Sequence, residues 1–226
     1  MASSAASRAA AAARPGLAYS LGRALYLSVT NRSNAASILD TRGPGFRMPD
    51  SSGFLLLPDD APEPTSDELA AVVDACYADM DIVGMGENDP GVVFAGAGEP
   101  LLRPDVLVDT VRKVRADFSR HGVPFRVHTN GLHPPSVVAA LADAAVDRVT
   151  VALATADPRQ YDALMRPHPN AGGHADVCGF VAECVEAGVP VECVVVEAPG
   201  VDVAAARKLA IALGAVEFRT REYFPA

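Results

Sequence analysis

Apolar positions along this chain switch repeatedly between two periods. Ala24 to Thr30 (ALYLSVT) reads as a buried strand, rich in β-branched and aromatic residues. Residues 31 to 64 then lose all period and collect Gly, Pro, Ser and Asp, which predicts a long loop, functional or disordered. Thr65 and Glu68 have the spacing of a capping box, and Leu69, Val72, Val73, Cys76 and Met80 follow on one helical stripe. Val92 to Ala97 is a second strand. Pro104 opens a helix whose stripe is Leu107, Val111, Val114 and Phe118, ended by Gly122. Pro124 to Thr129 is a third strand, Ser136 to Ala145 a short helix, and Arg148 to Ala154 a fourth strand. Asp157-Pro158 starts another helix, and Ala175 to Ala187 forms a further one that stops at Gly188. Val189 to Val196, a helical block from Asp202 to Leu213, and Val216 to Arg221 complete the alternation.

Six strands alternating with helices imply an α/β fold with a parallel sheet covered by helices. Right-handed crossovers either curl such a sheet into a partial barrel or leave it doubly wound. In both cases ligands bind beyond the carboxyl ends of the strands. The loops to inspect are therefore Thr30-Asn31-Arg32 and its long continuation, Gly96 to Leu101, Thr129-Asn130-Gly131, Thr155 to Pro158, Glu197 to Gly200, and the end of the last strand. There, Arg219 and Arg221 alternate onto one face, suited either to clamping a carboxylate or phosphate or to pairing with Glu217 or Glu222.

Composition narrows the classes. Of 226 residues, 50% are hydrophobic, enough for a substantial core, and no apolar run approaches the ~18 residues of a membrane span. The net charge of −9 argues against a nucleic-acid or membrane-surface binder. Residues 1 to 39 contain no Asp or Glu but four Arg, so the opening stretch reads as a disordered tail or a transit peptide. Residues 1–17 are thus expected to be a disordered or targeting extension, residues 18–226 the folded domain, and the location cytoplasmic or organellar. Cys76, Cys178, Cys184 and Cys193 are scattered without a CxxC, which disfavours a zinc ribbon, a redox pair and a disulfide scaffold. His121, His128 and His133 have the residue types of a metal site but fall on a helix end, a strand and a turn, and no metal ligand is assigned to them.

Five segments carry a resemblance: YLSVTNR at Tyr26 to Arg32, FAGAGEPLLRPDVL at Phe94 to Leu107, VPFRVHTNG at Val123 to Gly131, VTVALATADPRQYDALMRP at Val149 to Pro167, and FRTREY at Phe218 to Tyr223. In this order they resemble the radical SAM superfamily, and within it the subgroup associated with TatD-family nucleases. The resemblance implies a partial (β/α)6, TIM-like barrel over residues 18–226. It also implies a CxxxCxxC motif in the loop after the first strand, whose three thiolates hold a [4Fe-4S] cluster that binds S-adenosylmethionine. Here that spacing falls on Ser33, Ser37 and Asp40. Iron–sulfur clusters are held by Cys thiolates, so the expectation is a degenerate member, a pseudoenzyme without a cluster and with no catalytic residue to assign.

Gly98, Glu99 and Pro100 match the family's GGEP motif, which grips the methionine amino group of the cofactor, a natural use for a carboxylate. The same residues also suit a plain strand-to-helix turn. Thr129 and Asn130 are candidate cofactor contacts at the third strand end, whereas Ala152, Leu153 and Ala154 stand where relatives carry a polar group facing the ribose. The expected partner is a small-molecule ligand. Two alternatives stay open: an active radical SAM enzyme with non-standard cluster ligands or a partner's cluster, and a nucleotide-binding oxidoreductase built on Val93 to Gly98. The latter has Leu101 in place of the third glycine of its motif.

Overall fold

The computed structural model describes residues 4–78, 89–133 and 136–226. Its strands are β1 (Ala18–Leu21), β2 (Ala24–Leu27), β3 (Val92–Phe94), β4 (Phe125–Thr129), β5 (Arg148–Ala152), β6 (Val191–Val196) and β7 (Glu217–Arg221). Its helices are α1 (Ala5–Ala12), α2 (Ile38–Thr41), α3 (Ser66–Cys76), α4 (Pro104–Ala116), α5 (Ser136–Asp143), α6 (Pro158–Met165), α7 (His174–Glu186) and α8 (Val203–Ala212). The α/β class is as expected, and four of the five described strand pairings are parallel. The chain divides into two compact units. One is formed by the described parts of Met1–Asn31 and Met48–Val127, the other by those of Arg32–Arg47 and His128–Ala226.

In the first unit β2 lies between β1 and β3, and β3 pairs onward with β4. β1 is additional to the six expected strands. It forms an antiparallel hairpin with β2 across Gly22-Arg23, and Gly22 takes φ +63°, the positive value that the first position of a two-residue II′ turn requires. Tyr19 on β1 stacks on Tyr26 of β2 at 4.9 Å, and Phe54 meets it edge-on. Within the stretch expected to be a disordered or targeting extension, Ala5–Ala12 is helical, with Ser4 as its cap and Ala6 and Ala9 buried against the hairpin and α3. Arg14 then pairs with Glu68 at 2.9 Å.

The capping box of α3 is present, with the Thr65 amide donating to Glu68 Oε2 at 2.9 Å. Met80, at the end of the expected stripe, lies outside the described residues. On α4, Leu107, Val111 and Val114 are buried as their spacing demands. Phe118 is not: the helix ends at Ala116, a 3-10 turn carries Phe118 off the stripe, and its side chain is 84% exposed. The Asp117 carboxylate causes this break by accepting the Ser119 amide at 2.8 Å, closing a turn that competes with the helix.

In the second unit β5, β6 and β7 are parallel neighbours. Every residue of β6 is buried, the near-continuous apolar signature of a strand covered on both faces. Register gives each face its character, since paired residues point the same way. Thr150, Glu192 and Glu217 form one row, Ala152, Val194 and Arg219 the next, and Val196 with Arg221 the last. No helix among the described residues is long and apolar enough to cross a membrane.

Candidate functional site

In the first unit the carboxyl ends of β2 and β3 are closed by polar side chains. Thr30 Oγ1 donates to the Glu63 carboxylate, and the Asn31 amide side chain donates to Leu57 O at 2.8 Å while accepting the Leu57 amide at 3.1 Å. After β3 the chain passes Gly96, where an added Cβ would lie 3.0 Å from Ser28 Oγ, and reaches Gly98-Glu99-Pro100. Glu99 is buried, and its Oε1 accepts the Leu101 amide at 3.0 Å, capping a 3-10 turn at Pro100–Leu102. Arg103 then reaches back to Val29 O and Pro64 O at 3.0 and 2.8 Å, with the Glu63 carboxylate 3.5 Å from its Nε. This turn separates the glycines from Pro104 at the start of α4, so the connection is not a dinucleotide-binding turn, in which the glycine loop opens the helix directly.

The long loop's central segment, Arg32–Arg47, belongs to the second unit. Its anchor is Asn34, which the sequence did not single out. The Asn34 side chain donates to Leu132 O at 2.9 Å and accepts from Asn130 Nδ2 at 2.7 Å, and its backbone carbonyl accepts the His168 amide at 2.8 Å. The Ala36 amide donates to Met165 O. Thr129 and Asn130 are both buried. Thr129 Oγ1 accepts the Gly131 amide at 3.1 Å and Asn130 Oδ1 the Leu132 amide at 2.9 Å, so both side chains shape their own turn. Gly131 must be glycine there, since its φ is +76° and a Cβ would approach Val151 and Val177 within 3.1–3.2 Å.

At the three positions on which the resemblance places the CxxxCxxC spacing, the side chains are engaged as follows. Ser33 Oγ donates to Ala35 O at 2.6 Å. Ser37 caps α2, and Asp40 Oδ2 accepts both the Ser37 amide and the Ser37 hydroxyl at 2.8 Å, while Ser37 Oγ accepts the Asp40 amide at 3.2 Å. Ser37 and Asp40 thus meet in a capping box, and Ser33 turns to its own backbone. A [4Fe-4S] cluster needs soft thiolates, whereas these are hard oxygen donors already committed to neighbouring groups, so the residues present do not fit it.

The cysteines are free and lie elsewhere. Burial pushes the Cys184 and Cys193 thiols up to about 12 and that of Cys76 to about 11, and raises Cys178 as well. Among the described residues no group of three or more His, Cys, Asp or Glu is arranged to hold a metal ion.

Beside α2, Thr41, Ala152, Ala154, Leu164, Met165, Val194, Val196 and Ala198 line a narrow apolar recess whose free volume is about 10 Å³, room for about one water. Ala154 has φ +62°, and the Thr155 amide donates to Leu153 O at 2.7 Å around it, the hydrogen bond of a strained three-residue turn. At the last strand Arg219 pairs with Glu217 at 2.7 Å and with buried Glu192 at 3.1 Å, and Arg148 joins the same cluster. Arg221 stands apart from that network.

Comparison with known proteins places the fold. The family described as the Radical SAM superfamily matches residues 63–203, a span that begins beyond Ser33, Ser37 and Asp40. No curated protein matches the chain at a significant level. Among solved structures, HydG, a maturase of the [FeFe]-hydrogenase, aligns with 90% of this chain and 43% of its own at 16% identity and a TM-score of 0.61. The protein anSMEcpe with bound AdoMet aligns over 88% and 52% at 11% identity and a TM-score of 0.61. A radical SAM methyltransferase from Sphaerobacter thermophilus aligns over 88% and 55% at 18% identity and a TM-score of 0.54. The chain therefore spans about half the length of these structures.

Proposed function

The chain belongs to the radical SAM superfamily, and from that premise we propose that it is a member without a cluster of its own, which binds S-adenosylmethionine or a related ligand without reductively cleaving it. Its motifs are nearest those of the TatD-associated subgroup. The observation that carries the proposal is the Ser37–Asp40 capping box together with the inward-turned Ser33, at the three positions where the family's spacing calls for thiolates. Hard oxygens tied into a helix cap neither match iron–sulfur chemistry nor stand ready to rotate toward it. The Gly98-Glu99-Pro100 turn supports ligand binding, because a buried carboxylate at a strand end suits the ammonium of a methionine moiety. Thr129 and Asn130 are the further contacts of this reading, held in place by Gly131 and Asn34.

Two measurements on the full chain test it. Anaerobic reconstitution with iron and sulfide is expected to leave the protein colourless and free of stoichiometric iron; a stable cluster overturns the reading. Calorimetric titration of S-adenosylmethionine into the metal-free protein is expected to show saturable binding, weakened by Glu99→Gln, and no binding overturns the ligand half. Release of 5′-deoxyadenosine on reduction would establish an active radical enzyme in its place.

A further inference from the structure

The recess beside α2 lies where an α/β sheet receives its ligands, at the carboxyl ends of its strands. Val196 is the last residue of β6, and Ala154 and Ala198 stand two positions beyond β5 and β6. Thr41, the last residue of α2, lines the same recess. With Thr41 in place the free space admits about one water, so nothing larger enters while α2 stays where it is. A single turn of four residues cannot hold itself there. The position of α2 is set by what grips the chain on either side of it.

Both grips come from within the second unit. Before α2, Asn34 is bonded to Asn130 and Leu132, and the Ala36 amide donates to Met165 O. Ala35, Ala36, Asn130 and Met165 are all buried. After α2, Arg42 O accepts the Phe224 amide at 2.8 Å, and the Gly45 amide donates to Phe224 O at 3.1 Å. Arg42 Nε donates to Glu222 O at 3.3 Å, and its guanidinium lies over the rings of Phe46 and Phe224 at 4.2 and 5.0 Å. The two stretches run so close that a Cβ on Gly45 would collide with the Pro225 carbonyl. This second grip is at the surface: Arg42, Phe46 and Phe224 are half-buried, and Gly45, Glu222 and Pro225 are exposed. Contacts open to water come apart in local fluctuations that leave buried ones intact.

We propose that the contact between residues 42–45 and 222–225 is a latch: closed, it holds α2 against the ends of β5 and β6 and keeps ligand out; released, it lets α2 move away on the buried Asn34–Ala36 anchor. The identity of the ligand, S-adenosylmethionine or a relative of it, rests on the function proposed above; the closure does not. A ligand admitted only by the open form binds with an affinity lowered in proportion to the open fraction, so weakening the latch strengthens binding.

A thiol in the recess reports the opening without any ligand. In the full chain, Val196→Cys puts a thiol smaller than the valine there, and its alkylation by iodoacetamide is followed by peptide mass. Labelling is expected to be slow, and about tenfold faster when either Gly45→Ala or Phe224→Ala is added, each of which breaks the latch in a different way. Amide exchange at Ala36 is expected to stay unchanged, which shows that the anchor and the fold survive. Rapid labelling with the latch intact, or labelling that neither variant accelerates, would overturn the proposal. Calorimetry then joins latch to ligand: S-adenosylmethionine is expected to bind Gly45→Ala and Phe224→Ala about tenfold more tightly than the natural chain. Equal affinity for all three would also overturn the proposal. If the thiol opens as expected and no variant binds S-adenosylmethionine, the latch stands and the cofactor reading falls.

Discussion

Asp40 accepts two hydrogen bonds from Ser37, one from its amide and one from its hydroxyl, and returns its own amide to the Ser37 oxygen. Two positions whose spacing suits iron ligands are thus bonded to each other. Ser37→Ala removes the cap and is expected to lower the local stability of α2 by about 1 kcal/mol, which reads out as roughly fivefold faster amide exchange at Asp40. Unchanged exchange would mean the capping box does not hold this turn.

Placing sulfur in the loop provides a positive control for the proposed lack of a cluster. The triple variant Ser33→Cys, Ser37→Cys, Asp40→Cys presents three soft donors at the spacing that an iron–sulfur cluster uses. After anaerobic reconstitution it is expected to gain visible charge-transfer absorbance and bound sulfide, where the natural chain gains neither. A variant that folds but stays colourless would show that these are not the cluster positions.

Acid should weaken the second unit through Glu217. The hydrogen-bonded Arg219 guanidinium, with Arg148 behind it, holds the Glu217 carboxyl below its usual 4.5. Its folded pKa is therefore depressed, so its contribution is complete above the unfolded value and is lost as pH falls through the lowered one. The difference in urea midpoint between the natural chain and Glu217→Gln is expected to shrink between about pH 6 and about pH 3. A difference that is constant or grows on acidification contradicts the pairing.

Thiol reactivity should follow burial. Cys184 and Cys193, with thiols raised to about 12 and side chains enclosed, are expected to resist iodoacetamide at mildly alkaline pH until the protein is unfolded. Intact-mass analysis should show at most Cys76 and Cys178 modified in the native state. Labelling of all four before unfolding would place these cysteines outside the core.

The turn at Ala154 should reward glycine. At φ +62° an L-residue is strained, so Ala154→Gly is expected to raise stability by up to about 1 kcal/mol, and Ala154→Val to lower it by more than that. Denaturant midpoints decide, and a destabilising glycine would mean the turn carries no strain.

Much of this was legible in the residues. The alternation of strands and helices survives in β2 to β7, because apolar period and turn residues agree at every step. β1 escaped notice because AYSL is short, yet AYSL-GR-ALYL has the form of a hairpin with a two-residue loop opening on glycine. Phe118 fitted the helical period and still lies outside the helix, since a local Asp117–Ser119 turn prevailed over periodicity. At the candidate site, the absence of cysteines was plain. Ser37-x-x-Asp40 has the spacing of a cap, as Thr65-x-x-Glu68 does, but no long apolar stripe follows it to mark a helix start. Arg42 and Asn34 had no local signal, for their roles come from partners far along the chain.

That remoteness governs how the protein can be made. Segment Arg32–Arg47 is made well before its partners: Asn34 finds Asn130 and Leu132 only 96 and 98 residues later, and Arg42 finds Glu222 only after 180. Until then the segment must wait as an open loop while α3, β3 and α4 form around the first unit, which can close once Val127 has emerged. Synthesis from the amino terminus therefore completes one unit before the other has its anchor, and the closing entropy of the long loop falls due at the end. The stretch Glu222 to Pro225 is thus what secures a segment made some 180 residues before it.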